Sequence, residues 1–114
     1  MSKPNTTITA ALAAARSDIG QVYRVSSGPS GWGYNVYDAT ARAYRVSAPA
    51  TYLQAVASRA SAIAVRATVL LTGCDESDAY CYADDETGTA RERCNALVRR
   101  FGNADAADRP CPCA

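Results

Sequence analysis

The residues best equipped for chemistry crowd into one stretch, CDESDAYCYADDE, residues 74–86. Asp75, Glu76, Asp78, Asp84, Asp85 and Glu86 share it with Tyr80, Tyr82, Cys74 and Cys81. Carboxylates so placed can ligate a divalent cation, with Asp75, Asp78, Asp84 and Asp85 as candidates. The run lacks the Asp-x-Asp-x-Asp-Gly order and the turn glycine of an EF-hand loop, so no metal is expected here. Thiolates can take zinc, but Cys74, Cys81, Cys94, Cys111 and Cys113 match no knuckle or ribbon spacing. Two tyrosines interleaved with acids suit contact with a basic partner better than plain solvent. Asp75, Glu76, Asp78, Tyr80, Tyr82, Asp84, Asp85 and Glu86 are therefore the expected partner-binding residues.

The rest of the chain narrows the chemistry by what it lacks. It has no histidine, which removes Ser-His-Asp and Cys-His systems and imidazole acid–base work. Lys3 is the only lysine, and GPSGWG is followed by no Lys-Ser/Thr, so there is no phosphate-binding P-loop. Carboxylate, tyrosine and cysteine chemistry remain, without a matched pair at a recognisable spacing. No catalytic residue and no cofactor are expected.

A formal net charge of +1 over 114 residues fits neither a general nucleic-acid coat nor an acidic DNA mimic. The charges are nonetheless segregated, with Arg91, Arg93, Arg99 and Arg100 directly after the acidic block. Alanine fills about a fifth of the chain and arginine nearly all the basic positions, a bias of GC-rich bacterial, phage or plasmid genomes. The N-terminus lacks the apolar and basic regions of a signal peptide. Residues 52–71 contain Arg59 and Arg66, so they do not read as a membrane span. A cytoplasmic protein with five reduced thiols is expected. A disulfide between Cys74 and Cys81, or between Cys81 and Cys94, is the alternative.

The elements that must position these residues follow from periodicity. Ile8, Ala11, Leu12, Ala15 and Ile19 recur at helical spacing over 7–19, with Thr6 or Thr7 as start and Gly20 as a left-handed stop. The period then becomes two in QVYRV, WGYNVYD and AYRVS, separated by SSGPSG and DATAR, which predicts a three-stranded antiparallel meander. Trp32, Tyr34 and Val36, joined by Tyr44 and Val46, form its expected core face. Arg24, Asn35, Tyr37, Arg42 and Arg45 form the expected outer face. A long helix starts at the Thr51/Gln54 capping box and ends at Gly73. Its stripe of Leu53, Val56, Ala60, Ile63, Ala67 and Leu70 is expected against Trp32, Tyr34 and Val46; residues 68–72 read as helix or strand. The acidic block reads as a loop. A last helix starts at the Thr89/Glu92 box, buries Ala90, Cys94, Leu97, Val98 and Phe101, and closes at Gly102. The expectation is one α+β domain over 1–102, in the order α-β-β-β-α-α, with a flexible Cys-Pro tail at 103–114.

GWGYNVYD on a middle strand, followed by a long helix, resembles the AP2-type and integrase arm-type DNA-binding domains over roughly residues 21–66. Those domains share a Gly-x-Trp start and an Asp ending the second strand. The resemblance implies DNA reading through the sheet, with Arg24, Asn35, Tyr37, Arg42 and Arg45 as its face. In size, composition and lack of a catalytic set the chain also resembles small accessory proteins of phages and mobile elements, anti-CRISPR proteins among them. That resemblance implies inhibition, by direct binding, of a larger bacterial protein or ribonucleoprotein complex that handles nucleic acid or serves defence. Such an inhibitor is the leading expectation, and sheet-to-DNA binding the alternative.

Overall fold

The structure, a computed structural model, describes residues 7–38, 40–83 and 86–101. Thr7 opens the first helix, α1 (Ile8–Asp18), by accepting the Ala10 amide on its hydroxyl at 3.0 Å. This satisfies one of the amides that a helix start leaves unpaired. Ala11, Leu12 and Ala15 then share the buried face. The stop differs from expectation. Ile19 is extended rather than followed by a left-handed Gly20, and it bridges directly to Val36. The Gly20 amide donates to the Asn35 carbonyl at 2.8 Å. The chain leaves the helix by joining the sheet, so no sharp reversal is needed.

Four short strands follow: β1 (Tyr23–Arg24), β2 (Trp32–Gly33), β3 (Asn35–Asp38) and β4 (Ala43–Val46). β1 pairs with β2 and β3 with β4, both antiparallel, in two ladders rather than one three-stranded meander. The middle run divides at Tyr34, whose amide donates to the Ser47 hydroxyl at 2.9 Å instead of to a backbone carbonyl. Bridges Ile19–Val36 and Trp32–Ala50 continue the pairing on either side. The β1–β2 turn is tight. A Cβ on Gly31 would collide with the Ser26 carbonyl, so the close approach needs glycine.

Three helices complete this α+β fold: α2 (Tyr52–Thr72), α3 (Glu76–Ala83) and α4 (Ala90–Phe101). Both capping boxes form. Thr51 and Gln54 exchange bonds of 3.1 and 3.2 Å, and Thr89 and Glu92 exchange bonds of 2.9 and 3.2 Å. Residues 68–72 are helix, and Gly73 ends α2 at φ 73°. The expected loop over the acidic block is largely the extra helix α3. Asp75 caps it, accepting the Ser77 and Asp78 amides at 2.8 and 3.4 Å, and Ala79 and Ala83 face inward at i and i+4.

The core is helical. α2 runs between α1, α3 and α4, and Ser61 to Val65, Ala67 and Thr68 are all buried. A helix segment buried around nearly its whole circumference, here all of 61–68 except Arg66, lies inside a bundle. Alanines at 11, 15, 62, 64, 67, 79, 83 and 90 let the helices approach closely, and Leu12, Ile63, Val65, Cys94 and Leu97 fill the space between them. The expected α2 stripe is thus half correct. Ile63 and Ala67 are buried, whereas Leu53, Val56 and Leu70 are 78%, 42% and 53% exposed. The sheet gives the core chiefly Tyr34, which is 5% exposed and bonds Ser58 through its hydroxyl at 2.7 Å. Arg59 donates to the Gly20 carbonyl at 2.6 Å, and Arg66 to Asp18 at 3.2 Å and the Tyr37 carbonyl at 3.1 Å. By length and composition α2 could cross a membrane, but here those arginines tie it to α1 and the sheet. Gly102 and the tail at 103–114 lie outside the described residues.

Candidate binding surface

The acidic block is divided by the helix it forms. Glu76 and Asp78 occupy the first turn of α3, where negative charge meets the positive end of the helix dipole. Tyr82 turns inward: it packs on the core, sets its ring edge-on to Phe101 at 5.3 Å, and lies 4.6 Å under the Arg100 guanidinium. Glu86 pairs with Arg100 at 3.8 Å. Tyr80 is 39% exposed, and it borders a cleft of about 280 Å³ with Ala57, Ser58, Ser61 and Arg93. Burial, and then the Glu76 charge, push its phenol up to about 12. Asp84 and Asp85 lie outside the described residues. The two tyrosines and the acids therefore do not share one exposed surface.

The cysteines separate as well. Cys74 is half-buried and free, and Cys94 is buried and free, with its sulfur 3.6 Å from the Thr68 hydroxyl. Burial pushes both thiols up, which disfavours the nucleophilic thiolate. Cys81 is disulfide-bonded, and its partner is not among the described residues. This corrects the expectation of five reduced thiols. An odd cysteine count guarantees one unpaired thiol and does not forbid a bond; with Cys74 and Cys94 free, one bridge can form among the five cysteines.

The sheet contains the larger surprise. Val36 pairs with Arg45 and Tyr37 with Tyr44, while Arg24 pairs with Trp32. Directly paired residues share a face. Arg24 and Arg45 therefore lie on the side of Trp32, Tyr34 and Val36. Contacts agree: the Arg24 guanidinium lies 4.6 Å over the Trp32 ring, and Arg45 pairs with Asp38 at 2.6 Å. The opposite face carries Tyr23, Asn35, Tyr37, Tyr44 and Val46. Tyr23 donates to the Asn35 side chain at 2.9 Å, and Tyr37 meets Tyr44 edge-on at 5.3 Å. The expected outer set of Arg24, Asn35, Tyr37, Arg42 and Arg45 is thus split between two faces, and Tyr44 and Val46 leave the expected core face. A slip of one residue in phase moves a whole strand's side chains across the sheet.

Tyr44 and Val46 are 59% and 54% exposed, and Tyr23 is 40% exposed. At the start of α2, Tyr52, Leu53 and Val56 are exposed too, and Tyr52 contacts Trp32 edge-on at 5.0 Å. These residues were not singled out as a site from sequence. The register pairs Asp38 with Ala43 and Tyr37 with Tyr44, whereas DATAR taken whole as the loop would pair Tyr37 with Ala43 and put Tyr44 opposite Val36.

Arg42 sits at the tip of that loop with φ 53°, a conformation L-residues seldom adopt. Asp38 holds the turn by accepting the Thr40 and Ala41 amides at 2.9 and 3.2 Å. The Ala41 bond and the Arg45 charge hold the Asp38 carboxyl below its ordinary value. Comparison with family models, curated proteins and solved structures found no match for this chain.

Proposed function

We propose that the protein is a non-enzymatic binding module. In this reading it inhibits, by direct contact, a larger bacterial nucleic-acid-handling or defence complex, as anti-CRISPR proteins do, and it works in the host cytoplasm. One observation carries the binding role. The outer sheet face and the first turns of α2 expose Tyr23, Tyr44, Val46, Tyr52, Leu53 and Val56, none of which the core uses. Tyrosine-rich, charge-poor surface is the composition of interface centres. The reading differs from the sequence expectation in location: of Tyr80 and Tyr82, the two aromatics expected to anchor the acidic block, Tyr82 is committed to packing while Tyr80 stays 39% exposed. The DNA-binding alternative finds little support in the register. Phosphate contacts dominate nucleic-acid affinity, and Arg24 and Arg45 turn away from the outer face.

The test is capture from nuclease-treated bacterial lysate, read by mass spectrometry. Wild type and the pair Glu76→Lys with Asp78→Lys should retain the same nucleic-acid-handling complex. Tyr44→Asp with Val46→Asp should lose it while staying folded. If only the Glu76 and Asp78 variant loses it, the acidic block is the surface after all. Retention on naked duplex DNA that collapses steeply with salt would instead establish the alternative. The compartment has its own measurement. Disulfides are rare in reducing cytosol. Titration of denatured, unreduced protein should find about three thiols, the five cysteines less Cys81 and its partner; five would dissolve the bond, and three in protein drawn from cytoplasm would show that it survives there.

A further inference from the structure

We infer that β4 is a docking edge that takes an extended acidic segment of the partner protein as an added strand. This rests on the protein-binding reading above and specifies how the contact is made. In the β3–β4 ladder, Ser47 donates its amide to Tyr34, and the bonded pairs alternate from there through Val36–Arg45 to Asp38–Ala43. The amides and carbonyls of Tyr44 and Val46 consequently point away from β3. No described residue pairs with them, and all four residues of β4 are exposed. A strand edge of this kind templates another strand unless it is blunted by proline, a bulge or an outward charge. β4 has no proline or bulge, and its one charge, Arg45, is turned to the Trp32 face and paired with Asp38.

An added strand would extend the outer face, so its alternate side chains would lie beside Tyr44 and Val46. The charge of that strand follows from the rim. Arg42 stands at one end of β4, exposed and without an ion pair or hydrogen bond among the described residues, in the left-handed conformation. Two carboxylates lie nearby: Asp38, occupied by Arg45 and by the turn amides, and Glu76, which lines the cleft beside Asp38 and Arg45. Arg42 is thus the charge at this edge with no ion-pair partner among the described residues, and it favours an acidic segment over a basic one.

The experiment uses ¹⁵N-labelled full-length protein and two synthetic ten-residue peptides with alternating valine and charge, one carrying glutamates and one lysines. The glutamate peptide should bind at least tenfold more tightly and slow amide exchange at Tyr44 and Val46 by tenfold or more. N-methylation at alternate peptide residues, on the hydrogen-bonding side, should abolish binding without touching the protein. Arg42→Glu should weaken binding several-fold, and Asp78→Lys should leave it unchanged. Equal binding of both peptides, no binding at millimolar peptide, or protection that appears on α3 would overturn the inference. So would protection of the same amides by a second copy of the chain at high concentration, or by a single-stranded oligonucleotide. If the peptides fail while Tyr44→Asp with Val46→Asp still abolishes capture of the complex, strand addition falls and the docking reading stands. If capture fails with every variant while the glutamate peptide still protects β4, the edge stands and the inhibitor reading falls.

Discussion

The first turns and the middle of α2 share one helix and one kind of sequence, yet they live in different surroundings. Around Ile63 the helix is enclosed by α1, α3 and α4; around Leu53 it is bare. The apolar stripe is equally good in both stretches, so the stripe did not decide burial. What decided it was the neighbours. Alanines on α1, α3 and α4 bring backbones close to residues 61–68, while the sheet meets the first turns of α2 mainly through Trp32 and Tyr34. The middle serves stability, and the first turns are left for contact.

The largest expected effect tests that contrast directly. Ile63→Ala should destabilise by about 2–5 kcal/mol, because it opens a void among packed helices. Leu53→Ala, which removes a similar side chain from a site 78% exposed, should change stability by less than about 0.5 kcal/mol. Equal losses in denaturant melts would mean that the first turns are covered in solution, and the comparison would break.

Arginines sharpen the same contrast at intermediate size. Arg93 donates to the Ser61 hydroxyl at 2.8 Å and to the Glu86 and Gly88 carbonyls at 2.9 and 2.8 Å, joining α4 to α2 and to the turn before it. Arg93→Met should lower stability by about 1–3 kcal/mol, since a buried hydroxyl and two carbonyls lose their donor together. Arg45→Met at the sheet removes an exposed ion pair and should lose at most about 1 kcal/mol. Both are read in the same melts; a larger loss at Arg45 would make the hairpin, not the helix junction, the part that depends on its arginine.

Much of this fold is legible in the sequence, and the failures have physical causes. Capping boxes are local: Thr51 with Gln54 and Thr89 with Glu92 find each other within one turn, so spacing alone reveals them. The inward face of α4 was equally readable, because Ala90, Cys94 and Leu97 recur at helical spacing. α3 was missed because its inward face is two alanines, Ala79 and Ala83, which carry little hydrophobic signal; the Asp75 cap was the available clue. Strand phase was missed because AYRV alternates whichever face is inward. Hydrophobicity favours Tyr44 and Val46 inside, and a turn over the whole of DATAR agrees, but the pairing of Asp38 with Ala43 places them outside. Trp32, Tyr34 and Val36 were assigned to the correct face, and Tyr34 alone among them is fully buried. The candidate site was correspondingly hard to read. It consists of apolar residues that a core reading claims first, and only the register releases them.

Tyr80 gives a pH-dependent test at the boundary between the two regions. Its phenol ionises at an ordinary value near 10 in the unfolded chain and about 12 in the fold, chiefly because of burial. A folded value above the unfolded one contributes stability that is fully present below pH 10. That contribution is lost as the pH rises through 12. Alkaline melts of wild type should therefore steepen between pH 10 and 12, and Tyr80→Phe should flatten that interval. An unchanged slope would place the phenol in open water and return Tyr80 to the exposed surface.

The smallest expected effect concerns Arg42, where stability and contact pull in opposite directions. A left-handed arginine is disfavoured by about 1–2 kcal/mol because its Cβ crowds the backbone. Arg42→Gly relieves that crowding but loosens the unfolded chain, which offsets about 0.4–1 kcal/mol of the gain. The variant should therefore be more stable by about 0.5–1 kcal/mol, measured from the denaturant midpoint at constant slope. Among the described residues, the side-chain bonds that hold the turn come from Asp38 and none comes from Arg42. If the strained arginine serves the docking edge, Arg42→Gly gains stability while losing affinity for the acidic peptide. A variant that gained both would show that the tip belongs with neither region, and that only Tyr44 and Val46 define the edge.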